Sequence, residues 1–542
     1  MDDFFLYRIS RVVRAGRAAV RISPTIVHGT HTRSAAQFVK SHQGIADATA
    51  QASSTPSLGE PQMRRTEFVA YAADMKTHFT QTQLAEPQIA EAADILQSCQ
   101  HFGFCTSGCP TYVLLHDEND GPRGRIDLIK EMLESGGAPS PKTVKHLDRC
   151  MSCMSCMGTC AVKVDYMHLI DVGRAHIEKT YRRPLAERLL RGALGFVLPR
   201  RNLFKPALSL GRIAARFGRW MPPAVRPLLE LLPPAGSSDP ADTVGQRNYP
   251  AVGVRRWRVA LLEGCVQPEI APHINAATIR MLTRFGCEVV MPEAAGCCGS
   301  LNLHMGKQEA ARSFARANVA AWLSELDRGG LDAILVNASG CGTTVKDYGH
   351  LLKGDPDFEQ GAQRVAAIAV DVCEWLMRIG VSAPTTPRRH KVTYHDACSL
   401  RNVQKVTQPP RALLLKAGYF VSDVPEAHFC CGSAGTYNML QPDLARQLGQ
   451  RKAENLASTH PQIVAAGNIG CITQIGLHSP TPIVHTVELL DWAYGGPAPL
   501  ALRNASLEEI AIDKVADEPV ASSSEQPVHF YPGETSKDMG VW

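Results

Sequence analysis

No apolar run of about 18 residues free of charge occurs in the 542-residue chain, so the sequence predicts no transmembrane helix. Neither a P-loop nor a dinucleotide-binding G-x-G-x-x-G stretch is present, and no serine stands in a nucleophile elbow with histidine and acid partners. The chain therefore lacks an evident site for nucleotide, nicotinamide or flavin, and it offers no catalytic residue of its own. Charge bias is weak too: 57 Lys+Arg against 52 Asp+Glu leave a scattered net charge of +5, which does not point to nucleic acid. No secretory signal peptide is recognisable. What remains is a composition of 44% hydrophobic and 20% charged residues, that of a globular protein long enough for several domains.

Cysteine, by contrast, is abundant. Of the 17 cysteines, 15 fall into four short groups of repeating spacing, a pattern of metal ligation rather than of scattered core thiols. A chain this long needs no disulfides to hold a core, so the thiols imply a reducing compartment and iron–sulfur clusters. One group, Cys150-x2-Cys153-x2-Cys156-x3-Cys160, has the spacing of a bacterial ferredoxin run, with Ala161 where proline usually follows. Its twin reads Cys99-x2-Phe102-x2-Cys105-x3-Cys109-Pro110, with phenylalanine at the second ligand position. In paired runs the fourth cysteine of each serves the other's cluster. One cluster is thus expected on Cys150, Cys153, Cys156 and Cys109, and the other on Cys99, Cys105 and Cys160. Three thiolates do not complete a cubane, and His101 is a poor substitute in geometry and softness. The sequence predicts a [3Fe–4S] cluster there, or a [4Fe–4S] cluster with one labile iron; outright loss of the cluster is the bland alternative.

Downstream lies an internal repeat. The first copy reads strand (WRVALLEG), helix (PHINAATIRMLTRFG), strand (CEVVMP), the turn GCCG, a long helix and strand (LDAILVN). The second reads strand (KVTYHD), helix (PPRALLLKAG), strand (YFVSDVP), the turn FCCG, a helix and strand (QIVAAG). Alternating strands and helices predict parallel sheets covered on both faces, hence two pseudo-symmetric α/β lobes. Cys265 is separated from the pair Cys297–Cys298 by 31 intervening residues, Cys398 from Cys430–Cys431 by the same 31, and each copy adds a late cysteine, Cys341 or Cys471. Thiolates converging at the carboxyl end of a parallel sheet suit an iron–sulfur cluster or tetrahedral zinc, and the residues leave a third reading, no metal, open. Thr344 and Gln474 stand where a C-x2-C ending would place its last thiol.

Other features weigh less. Residues 1–74 carry seven basic residues and no acid between Phe4 and Lys40, resembling a transit peptide that Asp2 and Asp3 do not suit; a disordered extension, or a true start at Met75, is the alternative. Residues 182–234 hold eleven Arg/Lys against two Glu with interleaved leucines and aromatics, which reads equally as a membrane or partner surface and as a linker of short helices. Cys287 and Cys373 read as core residues. The arginines of DGPRGR (Asp120 to Arg125) either grip a partner's carboxylate or sit in an ordinary turn, and His395 with Asp396 forms a weak candidate proton relay. The expected divisions are 1–74, an extension; 75–181, an α-helical cluster-binding domain; 182–250, a basic helical stretch and linker; 251–385 and 386–494, the two lobes; and 495–542, a disordered tail.

These residues together carry a resemblance. The order of CQHFGFCTSGCPTY, DGPRGRIDLIKEML, HLDRCMSCMSCMGTC, LLEGCVQP, GCCGSLNLHMG, NASGCGTTVKDYG, YHDACSL, FCCGSAGTYN and GNIGCITQI, from about Met75 to Tyr494, closely resembles the iron–sulfur subunits of bacterial glycolate oxidase. That family joins a ferredoxin-like domain with two [4Fe–4S] clusters to two cysteine-rich CCG domains like those of heterodisulfide reductase. The resemblance implies electron transfer from an FAD-bearing subunit that oxidises glycolate, in a complex with a second flavoprotein-like subunit. It also implies a quinone acceptor and a cytoplasmic protein held peripherally at the inner membrane. Phe102 departs from the family's cysteine. Rival readings are a heterodisulfide-reductase-like enzyme, a subunit serving lactate or glycerol-3-phosphate oxidation, and a non-catalytic zinc scaffold.

Overall fold

The computed structural model describes residues 75–217, 229–232, 245–503, 505 and 507–509; the basic extension of residues 1–74 and the end of the tail lie outside them. From Pro87 to Thr180 the chain is helical. Helices Pro87–Ser98, Pro122–Ser135, Pro141–Asp148 and Tyr166–Thr180 surround a core of Leu96, Ile129, Leu133, Leu147, Leu169 and Ile170. Three of them open on proline, whose fixed φ suits a first turn where its missing N–H is no loss. The predicted periodicity of Ile126, Ile129 and Leu133 is the buried face of Pro122–Ser135, a helix closed by Gly136 at φ 65°. The cysteines stand at the helix ends: Cys99 follows one helix, Cys109 precedes another, and Cys160 closes the short helix Ser155–Thr159.

The two lobes follow. The first sheet contains β1 (Asn248–Tyr249), β2 (Trp257–Leu261), β3 (Cys287–Val290), β4 (Ala333–Val336) and β5 (Ala369–Asp371) in the order β1-β3-β2-β4-β5. The second contains β6 (Lys391–His395), β7 (Phe420–Asp423), β8 (Ile463–Ala466) and β9 (Ile483–His485) in the order β7-β6-β8-β9. Every pairing is parallel except β1 with β3, and β3-β2-β4-β5 matches β7-β6-β8-β9 strand for strand. Central strands β4 and β8 are buried at all four positions, as helices on both faces require.

The sequence reading differs from the structure in three places. Tyr249, placed in a linker, pairs with Val289 as part of edge strand β1. Strands β5 and β9 have three residues each, too few to display a period. The tail placed outside the fold begins inside it: Leu502 is buried in the core, and Gln462 Nε2 donates to the Glu508 carbonyl at 2.8 Å.

The lobes share one core. Helix Pro272–Arg284 packs on helix Thr486–Ala493, and helix Val372–Arg378 on Gln408–Lys416, so Leu261, Met281, Leu335, Tyr394, Leu414 and Leu490 belong to a single apolar cluster spanning both sheets. Buried Asp491 ties the same interface, 2.7 Å from Arg280 and 3.2 Å from Arg284. Ahead of the lobes, helices Leu185–Val197 and Arg201–Ala215 carry part of the basic stretch. Several of its arginines are spent internally: Arg183 and Arg191 both reach Asp148, at 2.6 and 2.9 Å, and Arg201 reaches Glu269 at 2.9 Å. No described helix is long and apolar enough to cross a membrane.

Candidate metal centres

None of the seventeen cysteines forms a disulfide, and fifteen of them gather into four sets. In the helical region Cys109, Cys150, Cys153 and Cys156 lie in one another's electrostatic field. Burial pushes the Cys153 and Cys156 thiols well up. Cys150 is equally buried, yet the Arg125 and Arg174 guanidiniums and the Tyr166 hydroxyl, 3.6 Å from its Sγ, bring its thiol below the ordinary value. Arg125, only 1% exposed, holds this set together: Nη1 lies 3.8 Å from Cys109 Sγ, Nη2 donates to Thr111 Oγ1 at 3.0 Å, and Nε donates to the His146 carbonyl at 2.8 Å. Its charge is balanced by Asp120, which also pairs with His146 and Arg149. Of the two DGPRGR arginines considered for gripping a partner, Arg125 thus faces inward, and Arg123 pairs with Glu118 of its own turn at 2.7 Å. Four buried thiols with guanidiniums over them fit a soft cationic cluster, since the metal and arginines together offset the charge of the thiolates.

Cys99, Cys105 and Cys160 form the second set, closer to the surface. Burial, then the neighbouring Cys160 and Cys99, push Cys105 up to about 11. Phe102 is 46% exposed, its ring 6.1 Å from that of Phe104, so no protein thiol fills the fourth position and an aromatic pair meets solvent there. His101 is held at φ 54°, with Nε2 3.4 Å from Asp127 Oδ1.

In the first lobe Cys265 reaches Cys297, Cys297 reaches Cys298, and Cys298 reaches Cys341 through successive sulfur contacts. In the second, Cys398 Sγ lies 3.8 Å from Cys430 Sγ, Cys430 contacts Cys431, and Cys431 contacts Cys471. The glycine after each cysteine pair is required twice over. Gly299 and Gly432 have φ of 90° and 89°, and a Cβ would come within 2.9 Å of the Ala311 carbonyl oxygen or 2.7 Å of that of Ala445. The late cysteines lie in the first turns of helices Ser339–Lys346 and Ile469–Gly476, where the dipole favours a thiolate. Thr344 and Gln474 act structurally: Thr344 Oγ1 donates to the Gly340 carbonyl at 3.4 Å, and Gln474 Nε2 to the Ala445 carbonyl at 3.0 Å. Cys287 and Cys373 are core residues, as the sequence implied.

Two relationships escaped sequence reasoning. Cys153 of the helical region faces Cys398 and Cys430 of the second lobe across a shared apolar cluster with Met151, Tyr437 and Leu448, and Asn402 Nδ2 donates to the Cys153 carbonyl at 2.8 Å. No signal in a linear spacing ties residues this far apart. His395 does not hydrogen-bond to Asp396, whose carboxylate is taken by Arg411 at 2.6 and 3.0 Å; a ring nitrogen of His395 instead lies within 4.8 Å of the sulfurs of Cys431 and Cys471.

Comparison with known proteins agrees with this picture. The cysteine-rich domain family CCG matches residues 259–346 and 392–476. The chain is 41% identical over 419 residues to the glycolate oxidase iron-sulfur subunit of Escherichia coli K12, covering 77% of this chain and 99% of that one. It is 30% identical over 429 residues to the probable glycolate oxidase iron-sulfur subunit of Bacillus subtilis 168, covering 74% and 94%. Lactate utilization protein A of Oceanobacillus iheyensis is more distant, at 27% over 241 residues, 43% of this chain and 96% of that one. With two CCG lobes behind a cysteine-lined helical region, and identity of this extent over nearly the whole of both relatives, the chain belongs to the family of glycolate oxidase iron–sulfur subunits.

Proposed function

We propose that the chain is the electron-transfer subunit of a glycolate-oxidising complex, taking electrons from an FAD-bearing partner and passing them towards quinone. The observation that carries this reading is that Cys153, Cys398 and Cys430 lie in one buried apolar cluster within one another's electrostatic field, which sets two thiol groups near each other across an apolar seam. Iron–sulfur clusters on such thiols supply one-electron steps at tuned potentials. What the chain's own residues contribute is burial, thiolate donors and positive charge. In this assignment Cys150, Cys153, Cys156 and Cys109 hold a [4Fe–4S] cluster in a ferredoxin-like arrangement. Cys99, Cys105 and Cys160 hold a [3Fe–4S] cluster or a cubane with a labile iron, because Phe102 brings no donor. The two CCG lobes hold further centres on Cys265, Cys297, Cys298 and Cys341 and on Cys398, Cys430, Cys431 and Cys471.

The substrate pocket lies on a partner chain in this scheme, with a second flavoprotein-like subunit completing the complex. The exposed apolar side chains of helices Leu185–Val197 and Arg201–Ala215 support peripheral attachment to the inner membrane, with Leu189, Phe196, Leu210 and Ile213 at the surface among arginines. The distance of the lactate-utilisation relative and the absence of a C-x2-C ending make glycolate the preferred 2-hydroxy acid over lactate, and make electron transfer preferred over disulfide cleavage. Iron, acid-labile sulfide and EPR spectra of the anaerobically purified full chain, before and after dithionite, test the whole reading. A [3Fe–4S] signal when oxidised and a reducible [4Fe–4S] signal are expected. Zinc without sulfide would leave a scaffold and overturn electron transfer.

A further inference from the structure

His395 ends strand β6, three residues before Cys398, and is 1% exposed. Neither Nδ1 nor Nε2 has a hydrogen-bond partner. A buried imidazole with both nitrogens bare is unusual, since buried polar groups are nearly always paired. Its surroundings explain it. A ring nitrogen of His395 and the sulfurs of Cys431 and Cys471 all lie within 4.8 Å of one another, with all three residues buried. Cys431 continues to Cys430, and Cys430 to Cys398, so four sulfurs and one nitrogen converge at the carboxyl end of the second sheet. The other polar groups nearby are committed elsewhere: Asp396 is held by Arg411 and Arg401, Lys452 Nζ donates to the Glu426 carbonyl at 2.8 Å, and Gln474 bonds Ala445 and Asn438.

The first lobe has nothing comparable. Aligning Cys265 with Cys398 puts Leu262 at the position of His395, and Leu262 is buried in the apolar core of its lobe. The two otherwise matching thiol sets therefore differ by one nitrogen donor.

We propose that His395 is a ligand of the metal centre of the second lobe, giving it mixed imidazole and thiolate ligation while the first lobe's centre is thiolate only. The proposal rests on the reading that Cys398, Cys430, Cys431 and Cys471 hold a metal. Imidazole and thiolate together suit either an iron–sulfur cluster or zinc. Five donors are more than one tetrahedral metal or one cubane needs, so His395 takes the place of one of the four thiolates; at an iron–sulfur cluster a neutral imidazole in that position lowers the negative charge and raises the reduction potential, as histidine ligation does in Rieske centres. The two lobes would then differ in potential, with the higher-potential centre being the one that adjoins Cys153.

The test uses the full chain, purified anaerobically, reconstituted with ferrous iron and sulfide, and labelled with 15N-histidine. Pulsed EPR of the reduced protein is expected to show a histidine nitrogen coupling. That coupling should vanish in His395→Leu, which installs the side chain the first lobe already carries there, and persist in His101→Leu. If the second lobe carries zinc, the matching readout is X-ray absorption at the zinc edge, with one nitrogen ligand lost in His395→Leu. The double variant Cys431→Ser/Cys471→Ser separates the two levels of failure. Metal content unchanged in that variant would overturn metal binding by the lobe and the histidine with it. Metal lost there, but no nitrogen ligand in the wild type by the readout that suits the metal found, or one indifferent to His395→Leu, would overturn the histidine ligand alone. Because the wild-type spectrum is itself decisive, misfolding of a variant does not shield the proposal.

Discussion

At the residue scale, the centres are shaped by what lies behind the thiols. Arg125 is buried beside Cys109 and is paired with Asp120, so Arg125→Met leaves a buried carboxylate short of a partner. A loss of about 3 kcal/mol is expected from breaking such a pair, read from denaturant unfolding. The same change removes a positive charge next to Cys150, so the midpoint potential of that centre should move negative in an EPR-monitored titration. Gly432→Ala forces a left-handed backbone on a residue with a Cβ and drives that atom against the Ala445 carbonyl. A cost of about 2 kcal/mol is expected. Metal should be lost from the second lobe and kept in the first, with Gly299→Ala giving the reverse.

At the element scale, helix Tyr166–Thr180 is clamped to the first lobe by one histidine. His168 Nδ1 lies 2.5 Å from Asp165 Oδ2, its Nε2 lies 3.1 Å from Asp347 Oδ1, and its ring stacks on His350 at 3.5 Å. Burial works against the imidazolium, but the two carboxylates outweigh it and raise the group to about 10. A histidine raised above its unfolded value of about 6.5 stabilises fully below that value and loses its contribution as pH rises towards 10. His168→Gln should therefore cost about 2 kcal/mol at pH 6, with the gap to wild type closing between pH 7 and pH 10 in thermal melts. The exposed leucines of the basic helices make a separate prediction. Leu189→Glu, at a side chain 63% exposed, should leave unfolding unchanged and weaken co-sedimentation with vesicles rich in anionic lipid.

At the scale of the whole molecule, the shared apolar core decides cooperativity. Leu490 of the last long helix belongs to the same cluster as Met281 and Leu261 of the first lobe, and Asp491 beside it binds Arg280 and Arg284. Leu490→Ala should cost about 3 kcal/mol and lower hydrogen-exchange protection in both sheets together. Exchange that rises in the second lobe alone would mean that the lobes unfold independently.

Much of this organisation is written locally. The strands β2, β3 and β4 and their counterparts β6, β7 and β8 are legible because the same alternation of strand, helix and turn is repeated once in the same order, with β-branched residues in each run. The thiol groups are legible because their spacings recur, once between the two ferredoxin-type runs and once between the two lobes, and the glycines after each cysteine pair announce a backbone only glycine tolerates. The tertiary structure decided the rest. Edge strand β1 takes its place from β3, and β5 and β9 are too short to signal themselves. That Cys153 faces Cys398, that Arg125 turns inward to the thiols, and that a bare ring nitrogen of His395 lies beside the sulfurs of Cys431 and Cys471 are all consequences of packing between segments far apart in the chain. Local sequence determined which donors exist and how they are grouped; only the burial of one apolar surface against another determined which groups meet.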